Sequence, residues 1–143
     1  MSEMSDYLET SLVTHIFRTS SWSKPSVLAI ALLTTVADDD DTGQFSTSTG
    51  VEVVSAGAYA RTANNPADAN WDAASGGATA NTSAITFPTA TGSWGTIQGL
   101  AIVDNATFDT GNMLFHSSIG TPRAIGVGDT AEIAAGAITV TFA

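Results

Sequence analysis

The sequence has no cysteine. Disulfides, thiolate chemistry and cysteine-ligated zinc are therefore excluded, and stability has to come from packing, hydrogen bonding or assembly. Positive charge is nearly absent as well: 4 Lys plus Arg stand against 14 Asp plus Glu, a formal net charge of -10. The four bases, Arg18, Lys24, Arg61 and Arg123, are scattered along the chain. They cannot neutralise a phosphate backbone, so the expectation is no nucleic-acid partner. The same scarcity argues against an anionic membrane surface. Long apolar runs are missing too; the longest, Val27 to Leu33, is far too short to span a bilayer. The opening MSEMSDYLET is acidic and lacks a basic region followed by an apolar one, so no signal peptide is expected and synthesis in a cytoplasm is. Without an export signal, the sequons at Asn81 and Asn105 are read as chance matches.

What the chain has in abundance is small residues. Ala, Thr, Ser and Gly make up 72 of the 143 residues, whereas charged residues are 13% and hydrophobic residues 43%. That is too apolar for an acidic disordered tail and suits a tightly packed, mostly β domain. The length suffices for one domain, 1–143, with a core of its own.

One helix is expected near the start, over 5–19. Leu8, Leu12 and Ile16 recur every four residues, with Tyr7, Val13 and Phe17 widening the stripe. Asp6 with Glu9 resembles a capping box, and Ser5 is a rival cap. The remainder, 26–143, reads as strands and turns. Val27 to Thr35 fits a strand buried on both faces, or on one face with a partner covering the other. Residues 51–62 read as a hairpin around Ser55-Ala56-Gly57. Residues 64–83 read as a long loop pinned by Trp71. A strand at 84–87 is expected to stop at Pro88, a longer one to run over 95–104, and a short one over 112–116. Residues 130–142 read as a terminal hairpin, with Ile138, Val140 and Phe142 alternating against Thr139 and Thr141. About eight short antiparallel strands after one N-terminal helix predict a mainly β fold, a sandwich or barrel.

Motifs for catalysis do not emerge. The two histidines, His15 and His116, are far apart, with no H-E-x-x-H and no G-x-S-x-G elbow. Phosphate-binding glycine loops are absent. Asp38-Asp39-Asp40-Asp41-Thr42-Gly43 places Asp38, Asp40 and Thr42 at the first, third and fifth positions of a calcium loop. Position twelve is Thr49 rather than a bidentate Glu, and no second helix follows. The run is read as a solvated turn, with Asp38, Asp40 and Thr42 as weak cation candidates and no assigned metal or cofactor. Trp22, Trp71 and Trp94 are large enough to stack on sugars, but single tryptophans at strand or loop boundaries more often anchor cores.

Several stretches in succession resemble a family of small tailed-bacteriophage virion structural proteins described as tail-fibre or capsid-decoration proteins. They are Ser5-Asp-Tyr-Leu-Glu9, Lys24 to Thr35, Gly50-Val-Glu-Val-Val54, Gly57-Ala-Tyr-Ala-Arg61, Ile85-Thr-Phe-Pro88 and Ser93-Trp-Gly95. Gly111-Asn-Met-Leu-Phe-His116 and Gly136 to Phe142 complete the set. The resemblance implies a particle component without enzymatic activity, located in the virion and made in the host cytoplasm. The first expectation is a capsid decoration, or cement, protein that binds the major capsid protein as a homo-oligomer, a trimer by preference. The alternative is a tail-fibre, baseplate or carbohydrate-binding module. Expected interface residues are Leu8, Leu12, Ile16, Arg61, Trp71 and Trp94.

Overall fold

In the structure, a computed structural model that describes residues 3–142, helix α1 spans Asp6–Phe17. The expected span of 1–143 reaches past the described residues at both ends. Ser5 is the cap: its Oγ accepts from the Leu8 N–H at 3.4 Å and donates to the Met113 carbonyl. One hydroxyl therefore starts the helix and ties it to a strand more than a hundred residues away. Asp6 and Glu9 sit in the first turn and His15 in the last, in keeping with the helix dipole.

Ten strands follow the chain: β1 (Glu3–Met4), β2 (Ala29–Thr35), β3 (Val51–Glu52), β4 (Thr62–Ala63), β5 (Ala78–Ala80), β6 (Ile85–Thr89), β7 (Gly95–Val103), β8 (Met113–Ile125), β9 (Thr130–Ile133) and β10 (Thr139–Thr141). The main sheet runs β1-β8-β7-β2-β3, with β4 also on β2, and every pairing is antiparallel. Two ribbons, β5–β10 and β6–β9, stand apart from it. The architecture is mainly β and sandwich-like, and the main sheet does not close into a barrel.

The two faces of the main sheet carry different side chains. On one, Ile30, Leu32, Ile97 and Ile102 meet Val53, Tyr59, Ile85, Phe87, Trp94, Ile138 and Val140 in the larger core. On the other, Ala29, Ala31, Leu33, Ala101, Val103 and Met113 form a flatter patch under Ala37 and Phe45. Small alanines allow the segment after β2 to lie close against the sheet. That is why the apolar run of β2 is buried from Ala29 to Leu33, as its composition predicts. Each large aliphatic or aromatic side chain so buried contributes roughly 1.5–3 kcal/mol.

Four local expectations are corrected. Residues 51–62 do not pair with each other. Instead β3 and β4 both lie along the same edge of β2, with Leu33 opposite Glu52 and Ile30 opposite Thr62. The chain between them loops out through a turn in which Gly57 (φ 60) and Ala58 (φ 64) are both left-handed. A Cβ on Gly57 would lie 2.9 Å from the Gly92 Cα, so the turn docks only because both positions are glycine. In the gap it leaves, the Tyr59 hydroxyl accepts from the Leu32 N–H at 3.0 Å, replacing a ladder bond.

Residues 130–142 are not a hairpin either: β9 pairs with β6 and β10 with β5. The cause is Asn81, which is fully buried. Its Nδ2 donates to the Ser83 and Ala134 carbonyls at 2.8 and 2.9 Å, and its Oδ1 accepts from the Ile138 N–H at 2.8 Å. The amide occupies the place where the two strands would otherwise meet. Pro88 does not end β6. It falls where the β6–β9 register shifts, a position that needs no N–H. Finally, β8 is 13 residues long rather than five, because Gly95, Thr96 and Ile97 of β7 pair with Ile125, Ala124 and Arg123 beyond a register shift. Ser117, Ser118, Gly120 and Pro122 in that stretch read as turn residues in the sequence.

Replacing Asn81 with Ala leaves two buried carbonyls and one N–H without partners. The expected loss in unfolding free energy is about 2–4 kcal/mol by urea denaturation, and a loss below about 0.5 kcal/mol would show that the amide does not hold the two ribbons apart.

Candidate functional surfaces

Arg61 points inward. Its side chain and that of Glu52 are 0% and 1% exposed. The guanidinium meets the carboxylate through two parallel bonds, Nε to Oε1 at 2.8 Å and Nη2 to Oε2 at 2.7 Å. Its three other hydrogens are shared among four backbone carbonyls: Gly43 at 2.7 Å from Nη2, and Asn105 at 3.0 Å, Thr107 at 2.9 Å and Thr110 at 2.8 Å from Nη1. Phe45 lies against it, 5.7 Å from ring centroid to guanidinium carbon. The Tyr59 hydroxyl donates to Glu52 Oε1 at 2.8 Å. Burial, and then the Glu52 charge, hold that phenol far above its ordinary pKa, so it stays protonated as a donor. Arg61, expected at an interface, thus has its acidic partner within the chain, and its side chain is closed to a second molecule.

Trp94 is also turned into the body. It is 3% exposed, its Nε1 donates to the Gly57 carbonyl at 2.8 Å, and its ring meets Tyr59 edge-on with centroids 5.3 Å apart. Trp71 is half-buried, and its Nε1 donates to the Asn64 carbonyl at 2.9 Å. It pins the 64–83 segment as expected, although that segment also contains β5.

The aspartate run is not a uniformly solvated turn. Asp41 is buried and accepts from the N–H groups of Asp38 (3.0 Å), Thr49 (2.7 Å) and Gly50 (2.7 Å). One carboxylate of the four closes the loop over the alanine face of the sheet. Asp38, Asp40 and Thr42 remain exposed, and the structure does not gather them into a cation cluster.

The residue that the fold does place with other ligand-type groups is Asp39. Its Oδ1 is 2.8 Å from His116 Nε2, and Glu3 Oε2 is 3.9 Å from the same nitrogen. His116 lies within β8 and is buried, and its Nδ1 has no hydrogen-bond partner among the described residues. Residues 3, 39 and 116 carry no spacing signal, so only the fold reveals the group. His15 is elsewhere, exposed, with Nδ1 accepting from the Trp22 N–H at 3.0 Å.

Two surfaces are open. Of the helix stripe, Leu8 is buried and Leu12 half-buried, but Val13, Ile16 and Phe17 are 57%, 67% and 78% exposed. The far end of α1 thus carries apolar side chains that the body does not cover. Beside it lies a groove of about 710 Å³, lined largely by apolar side chains that include Leu12, Trp22, Trp71, Phe115 and Phe142. Lys24, Asp68 and Asp72 are its charged members.

The body is thus mainly β, with the Arg61–Glu52 ion pair turned inward and an apolar helix end and groove on its surface. The sequence matches a family model described as Podophage GP4 fiber I protein gp80 over residues 3–141, and the chain belongs to that family. It is a family of bacteriophage virion structural proteins that carries a fibre name. A search of curated proteins finds no match. No helix among the described residues is long and apolar enough to cross a membrane.

Removing the guanidinium strands a buried carboxylate and four loop carbonyls. Arg61→Ala is expected to cost about 3–5 kcal/mol in chemical denaturation, and Arg61→Lys to restore only part of it because the planar fork is lost. Full stability in Arg61→Lys would contradict this account.

A second prediction concerns Asp109, half-buried and left-handed at φ 57. The Ser46 hydroxyl and then the Ser46 N–H hold its carboxyl below the ordinary aspartate value, at 2.6 and 2.8 Å. A lowered folded pKa gives stability that is present above the unfolded value and is lost as pH falls through the folded one. Ser46→Ala is expected to move the Asp109 NMR titration upward. An unmoved titration would show that the hydroxyl does not hold the carboxylate.

Proposed function

We propose that this protein is a structural subunit of a virion fibre, and that it works by assembly and not by catalysis. The observation that carries the reading is the uncovered apolar end of α1. Copies of a chain with net charge -10 repel one another, so contact between them has to occur where charge is low. Leu12 to Phe17 contains no Asp, Glu, Lys or Arg, and it presents Val13, Ile16 and Phe17 outward. Packing this end against the same region of neighbouring copies removes the apolar surface from water and closes a ring of identical contacts. A trimer is the expected state.

The fibre name of the family supports an appendage over a shell protein. The competing reading is a decoration protein bound to the major capsid protein, and particle composition separates the two. Quantitative gel densitometry of purified virions, with immunogold labelling, is expected to give few copies per particle and label on an appendage. A level near that of the major capsid protein, with label over the head, would overturn the fibre reading and support decoration.

The assembly surface has its own test. Analytical ultracentrifugation at high micromolar concentration is expected to show an oligomer for the native chain and a monomer for Ile16→Asp/Phe17→Asp, with unchanged circular dichroism. Neither side chain is part of the core, so the double variant keeps its fold. A native chain that sediments as a monomer, or a variant that still assembles, would reject α1 as the contact.

A further inference from the structure

We propose that Glu3, Asp39 and His116 form a binding site for one divalent transition-metal ion of the zinc type, bridging the N-terminal strand to the main sheet. The three ligand atoms lie within 4.8 Å of one another, with His116 Nε2 2.8 Å from Asp39 Oδ1 and 3.9 Å from Glu3 Oε2. Zinc takes such donors at ~2.0–2.2 Å, and both carboxylates sit on exposed side chains that have room to turn toward an ion.

The placement does not depend on flexible side chains meeting by chance. Glu3 and His116 are directly opposed residues in the β1–β8 ladder, so the strand register puts them together. Asp39 is fixed from the other side, because its carbonyl accepts from the Asp6 N–H at 2.8 Å at the start of α1. Next to it, Ser5 N donates to the Leu114 carbonyl at 3.0 Å and Ser5 Oγ to the Met113 carbonyl. Three separated segments are therefore held in position by main-chain bonds before any ion arrives, and this lowers the entropy lost on binding.

His116 supplies a second and independent observation. It is 3% exposed, it has no other charged partner among the described residues, and its Nδ1 makes no hydrogen bond. A buried imidazole that presents Nε2 to two carboxylates, with no base nearby to compete, has the chemistry of a metal ligand. One imidazole with two carboxylates suits zinc or a neighbouring transition ion, leaving remaining positions to water. It offers too few oxygens for calcium, which takes six to eight. Because Nδ1 has no acceptor to orient the ring from behind, the affinity is expected in the micromolar range rather than tighter. The ion would join residue 3 to residue 116, and so lock β1 and the start of α1 to the sheet edge.

The test is isothermal titration of the chelator-treated full chain with zinc chloride, and separately with calcium chloride. One zinc per chain is expected, with no calcium heat. Binding is expected to weaken at least about tenfold in Asp39→Asn and in Glu3→Gln. Both residues are exposed, so these variants fold even if His116→Gln does not. His15→Gln, at the other imidazole of the chain, is expected to bind as the native protein does. The proposal is overturned by the absence of saturable zinc binding, by binding that survives both carboxylate changes, or by binding that is lost with His15. None of these results bears on where in the particle the protein sits.

Discussion

The ion pair between Arg61 and Glu52 holds together parts of the chain that have no regular structure of their own. Burying two charges is costly, and replacing such a pair with apolar side chains is often neutral or even stabilising. Here the guanidinium does something an apolar residue cannot do. It donates to the carbonyls of Gly43, Asn105, Thr107 and Thr110, all outside the strands. Carbonyls wholly or partly buried in irregular backbone need donors, and the three guanidinium hydrogens not held by Glu52 are shared among four of them. Glu52 then fixes the arginine, Tyr59 fixes Glu52, and the Tyr59 oxygen meets the Leu32 N–H in the middle of β2. The central strand, the segment after it and the loop between β7 and β8 are joined through one buried network.

The same economy appears at Asp41 and Asn81. Each is a short polar side chain, buried, with three hydrogen bonds to backbone groups of a loop or strand end. With half the chain made of Ala, Thr, Ser and Gly, large side chains are too few to pin every loop by apolar contact. Buried polar groups take over that task and specify one arrangement, since a partly satisfied network would be worse than none. The end of α1 and the groove beside it are not closed in this way. Val13, Ile16 and Phe17 leave apolar surface there for a neighbour.

Elements governed by local pattern were legible in the sequence. Ser5 and the Leu8 stripe gave the helix, the Val27 to Thr35 run gave β2, and the 95–104 stretch gave β7 almost to the residue. Pairing was not legible. Alternation in 138–142 marks a strand but does not say which strand it joins, and the buried amide of Asn81 decides that. Arg61 reads in the sequence as an interface residue, and its inward direction, toward Glu52 and the Gly43 carbonyl, is set by the fold and encoded by no spacing. Trp94 likewise reads the same in sequence as an anchor or a surface ring. The Glu3, Asp39 and His116 group was invisible because its members come from three distant segments. Leu8, Leu12 and Ile16 were expected to share one fate; the helix buries the first and exposes the last.

If the Arg61 network makes the loops part of the same cooperative unit as the main sheet, native-state hydrogen exchange will show it. The amides to follow are Leu32, Gly43 and Asn112, which bond to Tyr59, Gly111 and Asp104, against those of β7 and β8. All of them are expected to exchange with one common opening free energy, equal to that of global unfolding. Loop amides that exchange by a separate, low-energy opening while β7 and β8 stay protected would contradict it.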